Sequence, residues 1–516
     1  MSRIKKTIKN ARVGVFFYSI TLFIHFFSRK IFLEGLGDEF IGLTSTLQSI
    51  LGFLNLAELG IGTAIGVTLY GPLFQNNKKE INNIIALIGY LYKKIGLGIF
   101  LLGLVVSVFL PFIFSETTIN LTIVYFAFFS FLTSSLLSYF INYHIVILQA
   151  DQKSYVVSSI YQSITILKLI LQSVLVYYYQ AYYLWILLEL IFPIIYSIVL
   201  RSRIKKEYPW LILNNKQNKS IIKGYPDVIK LIKQTFIHKI AGFVLGGTDH
   251  ILIFALVNLK SVAFFGNYQL IFQKLTQLIN NFFGGINAGV GNLVAENDYD
   301  NIRKVFWEMM ALRFLVGGFI CVNLYFLIEP FILLWLGEKY VLDQWILILM
   351  LINLFISQVR TPVENFKNAY ALFWDVWAPI AEVVINLSVS LIFGMMWGIK
   401  GIMFGTLISL LVIVIFWKPY FLFKYGFKKN VLEYWKGFLK LFLTLIFSLL
   451  LIWWLVKMFY TVNVNNYFDW FLLSIKISFI TLMVYVPILL MNRGFRDLMY
   501  RFNNIIRKKL FKKNDE

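Results

Sequence analysis

The sequence predicts an all-α integral membrane protein of about 14 transmembrane helices: two six-helix bundles related by a parallel repeat, then two C-terminal helices. Three observations carry this. The chain has 516 residues, of which 59% are hydrophobic and only 14% charged, with a mean hydropathy of +0.73. A soluble domain carries roughly a quarter charged residues, so most of this surface faces lipid or other helices. Apolar runs recur from Val13 almost to the end, each near the ~20 residues that span a bilayer. The runs are continuous and lack the ~10-residue alternation of a barrel strand. In hydrocarbon every backbone amide must be paired, which leaves helices or closed-barrel strands, so these runs are helices.

Taken in order, the expected spans are 13–33, 41–70, 86–114, 119–148, 156–178, 182–200, 236–257, 261–290, 306–328, 343–359, 373–396, 400–422, 438–460 and 468–490. The basic start, Met1 to Arg12, precedes an apolar run too long for a signal peptide and without a convincing small-residue cleavage site, so it reads as a retained first helix.

The net charge of +22 would suggest nucleic acid in a soluble protein. Here the Lys and Arg gather between apolar runs, the pattern of cytoplasmic loops under the positive-inside rule. They fall in four places: Arg3 to Arg12, the segment from Arg201 to Lys233, Lys424 to Lys436, and Arg493 to Lys513. The opposite side has little beyond Lys260, Lys339 and Lys400. An even span count puts both termini on the basic side, in the cytoplasm. Phe495 to Lys513 reads as a basic amphipathic helix on anionic lipid.

The long polar stretch 201–235 splits the chain. The expected organisation is an N-terminal six-helix bundle (1–200), a basic cytoplasmic linker (201–235), a second six-helix bundle (236–422), two further helices (423–490) and a basic tail (491–516). At a constant offset of 224 positions Gly42 falls on Gly266, Gly60 on Gly284, Ala64 on Ala288 and Lys79 on Arg303. Phe40-Ile41-Gly42-Leu43 then lies over Phe264-Phe265-Gly266-Asn267. Both halves start on one side of the membrane, so the repeat is parallel, an arrangement used by transporters.

No enzyme constellation stands out. The sequence has no P-loop, no His-Glu-x-x-His and no paired Cys motif. Its one cysteine, Cys321, excludes an intramolecular disulfide. The four histidines, His25, His144, His238 and His250, show no metal-ligand spacing. No metal, cofactor or nucleic-acid partner is expected.

Several stretches carry a likeness to a known family: Gly42-Leu43, then Leu56-Ala57-Glu58-Leu59-Gly60-Ile61-Gly62-Thr63-Ala64, Leu69-Tyr70-Gly71-Pro72-Leu73, and Gly266-Asn267-Tyr268-Gln269-Leu270-Ile271. With them the chain resembles the polysaccharide-repeat-unit flippases (Wzx type) of the multidrug/oligosaccharidyl-lipid/polysaccharide exporter superfamily. The resemblance implies a MATE-like fold in the inner membrane. It also implies export of an undecaprenyl-diphosphate-linked oligosaccharide for O-antigen, capsule or exopolysaccharide. Coupling to H+ or Na+ and polysaccharide-assembly partners fit the same picture. Other readings are a drug or cation antiporter or a lipid II flippase of the same superfamily and, from another class, a membrane polysaccharide polymerase or acyltransferase.

Ionisable groups inside spans cost at least a few kcal/mol unless they face a wet cavity or a partner, so each is a functional candidate. Arg29 and Lys30 in span one are expected on a cationic cavity wall, with snorkelling to the outer face as the alternative. Lys274, near the middle of span eight, cannot easily snorkel and is expected in the cavity. Lys168 and His250 complete the expected substrate-binding set. Glu58, Asp249 and Glu382 are expected in ion coupling or charge pairing; under the same offset Asp249 falls on His25. Lys93, Lys94 and Arg313 are expected at the cytoplasmic ends of spans three and nine, and Arg360, Glu364 and Lys367 on a cytoplasmic loop.

Overall fold

The computed structural model describes residues 3–55, 61–212, 224–226, 247–283, 290–291, 293–294, 296, 298–370, 372–459 and 464–511. Glu58, most of the 201–235 linker, and Gly60, Gly284 and Ala288 of the repeat lie outside them. Every regular element among the described residues is helical. Eleven helices there are long and apolar enough to cross a membrane, and the chain is a multi-pass membrane protein. By internal contacts it divides into two compact units, Met1–Lys274 and Leu275–Glu516.

In the first unit, α1 (Arg3–Leu54) is followed by α2 (Ile61–Phe74), α3 (Lys78–Ile113), α4 (Leu121–Phe140) and the short α5 (Ile145–Ala150). Then come α6 (Ser154–Tyr179), α7 (Tyr182–Glu207), α8 (Asp249–Leu256) and α9 (Leu259–Phe283), which runs on into the second unit. The apolar part of α1, Phe16–Leu54, has 39 residues. At 1.5 Å per residue that is roughly 58 Å, about twice the ~30 Å hydrocarbon core. Gly37 breaks it: φ is 83° and ψ 161°, a backbone conformation that L side chains rarely adopt. The break falls between the expected spans 13–33 and 41–70.

Capping chemistry starts the next helices. Asn77 accepts from the Glu80 amide and Asn120 from the Thr122 amide. α1 packs along α6, and α4 against both α3 and α7. Where helices touch in lipid, small residues let the backbones approach. Gly42 is such a point: a Cβ there would collide with the Leu259 carbonyl at the start of α9. Across α1 and α6, Ser173 donates to Ser28 at 2.8 Å and Thr21 to Gln162 at 2.9 Å.

The second unit holds α10 (Tyr299–Trp335), α11 (Gln344–Ala369), α12 (Trp377–Trp397), α13 (Ile399–Gly426), α14 (Val431–Phe459), α15 (Tyr467–Leu489) and α16 (Arg493–Phe511). Asp298 caps α10 through the Asn301 amide, and Asp343 caps α11 through the Trp345 amide. Asp343 itself lies outside the spans; it accepts from Lys400 at 2.9 Å, which holds its carboxyl below the ordinary range. α12 and α13 form a tight hairpin. A Cβ on Gly401 would strike the Phe393 carbonyl, and one on Gly405 would strike Ser390. α13 widens into π turns over Leu410–Trp417 and Leu422–Gly426.

α16 is the basic amphipathic helix expected from sequence. It is clamped to the bundle rather than merely resting on lipid. Phe495 is 1% exposed within a hydrophobic core cluster of the second unit. Arg501 binds Glu308 of α10 at 2.8 Å, and Glu308 is buried. Tyr500 and Phe502 beside the Arg501 anchor are exposed.

Two expectations are corrected. Arg360, Glu364 and Lys367 are not on a loop; α11 continues through them to Ala369, and Lys367 is 6% exposed. Mutual ion pairing lets the helix run on with charged residues, so polarity there does not mark its end. Arg313 is buried inside α10 rather than at a span end, where it donates to Gln358 at 3.0 Å. Lys93 and Lys94 are exposed midway along α3, which begins earlier than expected, at Lys78.

The hairpin gives a direct test. Gly401→Leu is expected to cost about 1–3 kcal/mol or more by overpacking and to lower Tm of the purified protein. Gly98→Leu, where a Cβ meets nothing within 4 Å, should leave Tm nearly unchanged.

Candidate functional site

A cavity of about 330 Å³ opens within the first unit. α1 brings His25 and Arg29 to it, α6 brings Lys168 and Gln172, α7 brings Glu189, α8 brings His250, and α9 brings Gly266 and Gln269. Helical spacing explains the grouping. His25 and Arg29 are four apart, as are Lys168 and Gln172, so each pair shares one face.

Arg29 is held firmly. Its Nε donates to Asn267 Oδ1 at 2.7 Å and an Nη donates to the Ala263 carbonyl at 3.1 Å. Asn267 is completely buried, so its amide oxygen is a fixed acceptor. Lys168 takes a different partner. Its Nζ donates to both oxygens of Glu189, at 2.8 and 2.7 Å. Gln172 donates to the same carboxylate at 2.9 Å and to the Trp185 carbonyl at 3.2 Å. Ser134 of α4 donates to the Glu189 carbonyl at 2.8 Å and so pins α7 beneath the pair. The Lys168 and Glu189 side chains keep 17% and 13% exposure; both are partly open.

Three of the expected substrate-binding residues, Arg29, Lys168 and His250, thus share one cavity. His250 lies 3.3 Å from the Ser49 hydroxyl and edge-on to Phe265. Lys30 is elsewhere: its side chain is 43% exposed and 3.9 Å from Glu34. As a neighbour of Arg29 in sequence it points about 100° away around the helix. Lys274 does not line this cavity. Its carbonyl accepts from the Tyr18 hydroxyl and its ammonium is 5.9 Å from the Tyr18 ring centre. Asp249 is buried, and among the described residues its Oδ1 has no hydrogen-bond partner.

Glu382 belongs to the second unit, in a separate charged network. Lys418 lies 3.0 Å from Glu364 and 3.5 Å from Glu382. Arg360 is 3.1 Å from Glu364, and Lys367 is 2.5 Å from a fully buried Asp375 side chain. One helical turn beyond Glu382, Asn386 donates to Thr406 at 3.1 Å.

Glu189 was not among the sequence candidates, although an acid inside an apolar run is the same signal that singled out Lys168. Gln172, Asn267 and Gln269 are neutral, and nothing in their local sequence marks them.

No family model and no curated protein matches the chain. Solved structures do. The lipid II flippase MurJ, in an inward closed conformation, is 19% identical with a TM-score of 0.64, over 95% of this chain and 100% of that one. An inward-facing MATE multidrug-resistance transporter of the MOP superfamily is 14% identical with a TM-score of 0.55, over 79% and 94%. A MOP superfamily transporter from Pyrococcus furiosus is 14% identical with a TM-score of 0.51, over 83% and 97%. The chain has the fold of MurJ and the MATE transporters. These neighbours are transporters and a flippase, not enzymes.

The pairing of Lys168 with Glu189 is testable by a double-mutant cycle. Lys168→Met leaves the carboxylate with the Gln172 donor and should cost about 1–3 kcal/mol, less than breaking a fully buried pair, because this one opens to the cavity. Lys168→Met with Glu189→Met should recover most of that loss, read as thermal stability in detergent.

Proposed function

We propose that this protein flips an undecaprenyl-diphosphate-linked oligosaccharide from the cytoplasmic to the outer face of the inner membrane by alternating access, for O-antigen, capsule or exopolysaccharide synthesis. The observation that carries the reading is the convergence of Arg29 and Lys168 on one polar cavity inside an apolar bundle. A lipid-linked diphosphate has a charged, hydrated head that cannot enter hydrocarbon unaided. Cations held in a wet cavity replace its water and counterions while the prenyl tail stays in the bilayer. Arg29 supplies a planar donor fork matched to phosphate oxygens, and Lys168 a mobile point charge.

In this reading the fold comprises about 14 helices as two parallel six-helix repeats with two helices added, and the basic termini lie in the cytoplasm. The domain limits are those read from the sequence: 1–200, 201–235, 236–422, 423–490 and 491–516. Coupling to H+ or Na+ falls to the acidic groups: Asp249, Glu58 and, in the second unit, Glu382. Polysaccharide-assembly proteins are natural neighbours of such a flippase. A lipid II-type cargo is the second reading. It is favoured by the fold match to MurJ along 100% of that chain and requires the same diphosphate chemistry. A cavity bearing Arg29 and Lys168 is poorly suited to cationic drugs.

Arg29→Ala and Lys168→Ala are expected to lower surface polysaccharide about tenfold or more, with lipid-linked glycan accumulating on the cytoplasmic face and the protein still inserted. Lys30→Ala should export normally. Normal export in both cavity variants would remove the cationic cavity from the mechanism.

A further inference from the structure

The two cavity cations have different hydrogen-bond partners. Arg29 is seated on neutral acceptors, Asn267 Oδ1 and the Ala263 carbonyl. It also lies against Gly266, where an added Cβ would sit 3.1 Å from its terminal nitrogen. A side chain at that position would press on the guanidinium, so the bare backbone preserves its seat. Lys168 is committed to an anion already present in the protein, the Glu189 carboxylate, through both oxygens.

We propose that Glu189 is an internal counter-ion. It occupies Lys168 when the cavity is empty, and the diphosphate of the cargo displaces it. The inference rests on the lipid-diphosphate reading above and assigns the site a switch within it.

Four features support an exchange rather than a permanent structural pair. Carboxylate and phosphate oxygens compete for the same ammonium protons, and both are charge-assisted acceptors. Lysine carries its charge on a flexible four-carbon stem and can move between acceptors, whereas an arginine fork would grip one carboxylate bidentately. The pair is open to the cavity, at 17% and 13% side-chain exposure, so an incoming anion can reach it. Finally, the carboxylate is not abandoned when Lys168 leaves. Gln172 already donates to it at 2.9 Å, and the α7 backbone at Glu189 is tied to Ser134. The moving part is therefore the lysine stem.

The arrangement implies selectivity by headgroup charge. A monophosphate held by Arg29 has little left with which to compete for Lys168. A diphosphate can keep one phosphate on Arg29 and offer the other to Lys168. Glu189 thus sets a threshold that favours diphosphates and keeps the empty cavity closer to neutral.

Binding of three probes to the full-length protein in nanodiscs tests this: geranylgeranyl diphosphate, geranylgeranyl monophosphate and uncharged geranylgeraniol. The wild type should prefer the diphosphate. Glu189→Gln keeps an acceptor for Lys168 but removes the competing charge. It should bind the diphosphate about tenfold tighter and discriminate less against the monophosphate. Lys168→Met should erase that gain when combined with Glu189→Gln. Lys168→Arg conserves the charge but grips Glu189 harder, and should bind the diphosphate about tenfold more weakly. A merely structural pair predicts losses in every variant and no gain in Glu189→Gln. If the wild type prefers the diphosphate while Glu189→Gln binds no tighter, the counter-ion role is overturned and the cargo reading stands. If Glu189→Gln proves too unstable to assay, undiminished affinity in Lys168→Arg overturns the role by itself. If the wild type binds the diphosphate no better than the alcohol, the cargo reading fails and takes the switch with it.

Discussion

A charge inside a bilayer must be paired, hydrogen-bonded or wet, and the organisation of this protein follows from that constraint. An unsatisfied ionic group in hydrocarbon costs at least a few kcal/mol. Only 14% of its residues are charged, and many of these stand inside helices. Several of those inside helices have specific partners: Arg29 with Asn267 and Ala263, Lys168 with Glu189, Lys367 with Asp375, and Lys418 with Glu364 and Glu382.

The two units meet the constraint differently. In the first, the groups surround a cavity and stay partly open. Among the described residues that line it, the ionisable groups are Arg29, Lys168, Glu189 and two histidines. In the second, the cations Arg360, Lys367 and Lys418 are matched by Glu364, Asp375 and Glu382 in a network that is largely buried. A balanced buried network is weak evidence for stability, because desolvation offsets much of its attraction. It nevertheless ties together α11, α12 and α13, whose hairpin already depends on the close approach at Gly401 and Gly405.

Much of the fold was legible in the sequence because hydropathy and length are strong signals in a membrane protein. Among the described helices, α6, α12, α13 and α15 begin and end within four residues of the expected spans, while α3, α7, α10, α11 and α14 run seven to ten residues beyond theirs at one end or both; the break at Gly37 falls between the first two spans. The failures share one cause. Polar residues such as Arg360, Glu364 and Lys367 read as loop because sequence alone shows their cost and not their partners. Arg313 read as a helix end for the same reason, although Gln358 satisfies it within the bundle. The site was half legible. Arg29, Lys168 and His250 stood out as polar groups in apolar surroundings. Glu189 carried the same signal and was passed over. Asn267, which fixes Arg29, has no charge to draw attention to it.

Composition, the spacing of apolar runs and the placement of Lys and Arg were enough to determine an all-helical membrane protein and to nominate its intramembrane charges. Those properties are local: they depend on the transfer free energy of about 20 consecutive residues. Which charge meets which partner is not local. Lys168 and Glu189 come from different helices, as do Arg29 and Asn267, which are 238 positions apart. Only the packing of α1, α6, α7 and α9 could decide that Arg29 donates to Asn267 and Ala263 while Lys168 is held by Glu189. The physical reason is that an ion pair depends on a few ångströms of separation, set by how close small residues such as Gly42 let neighbouring helices approach.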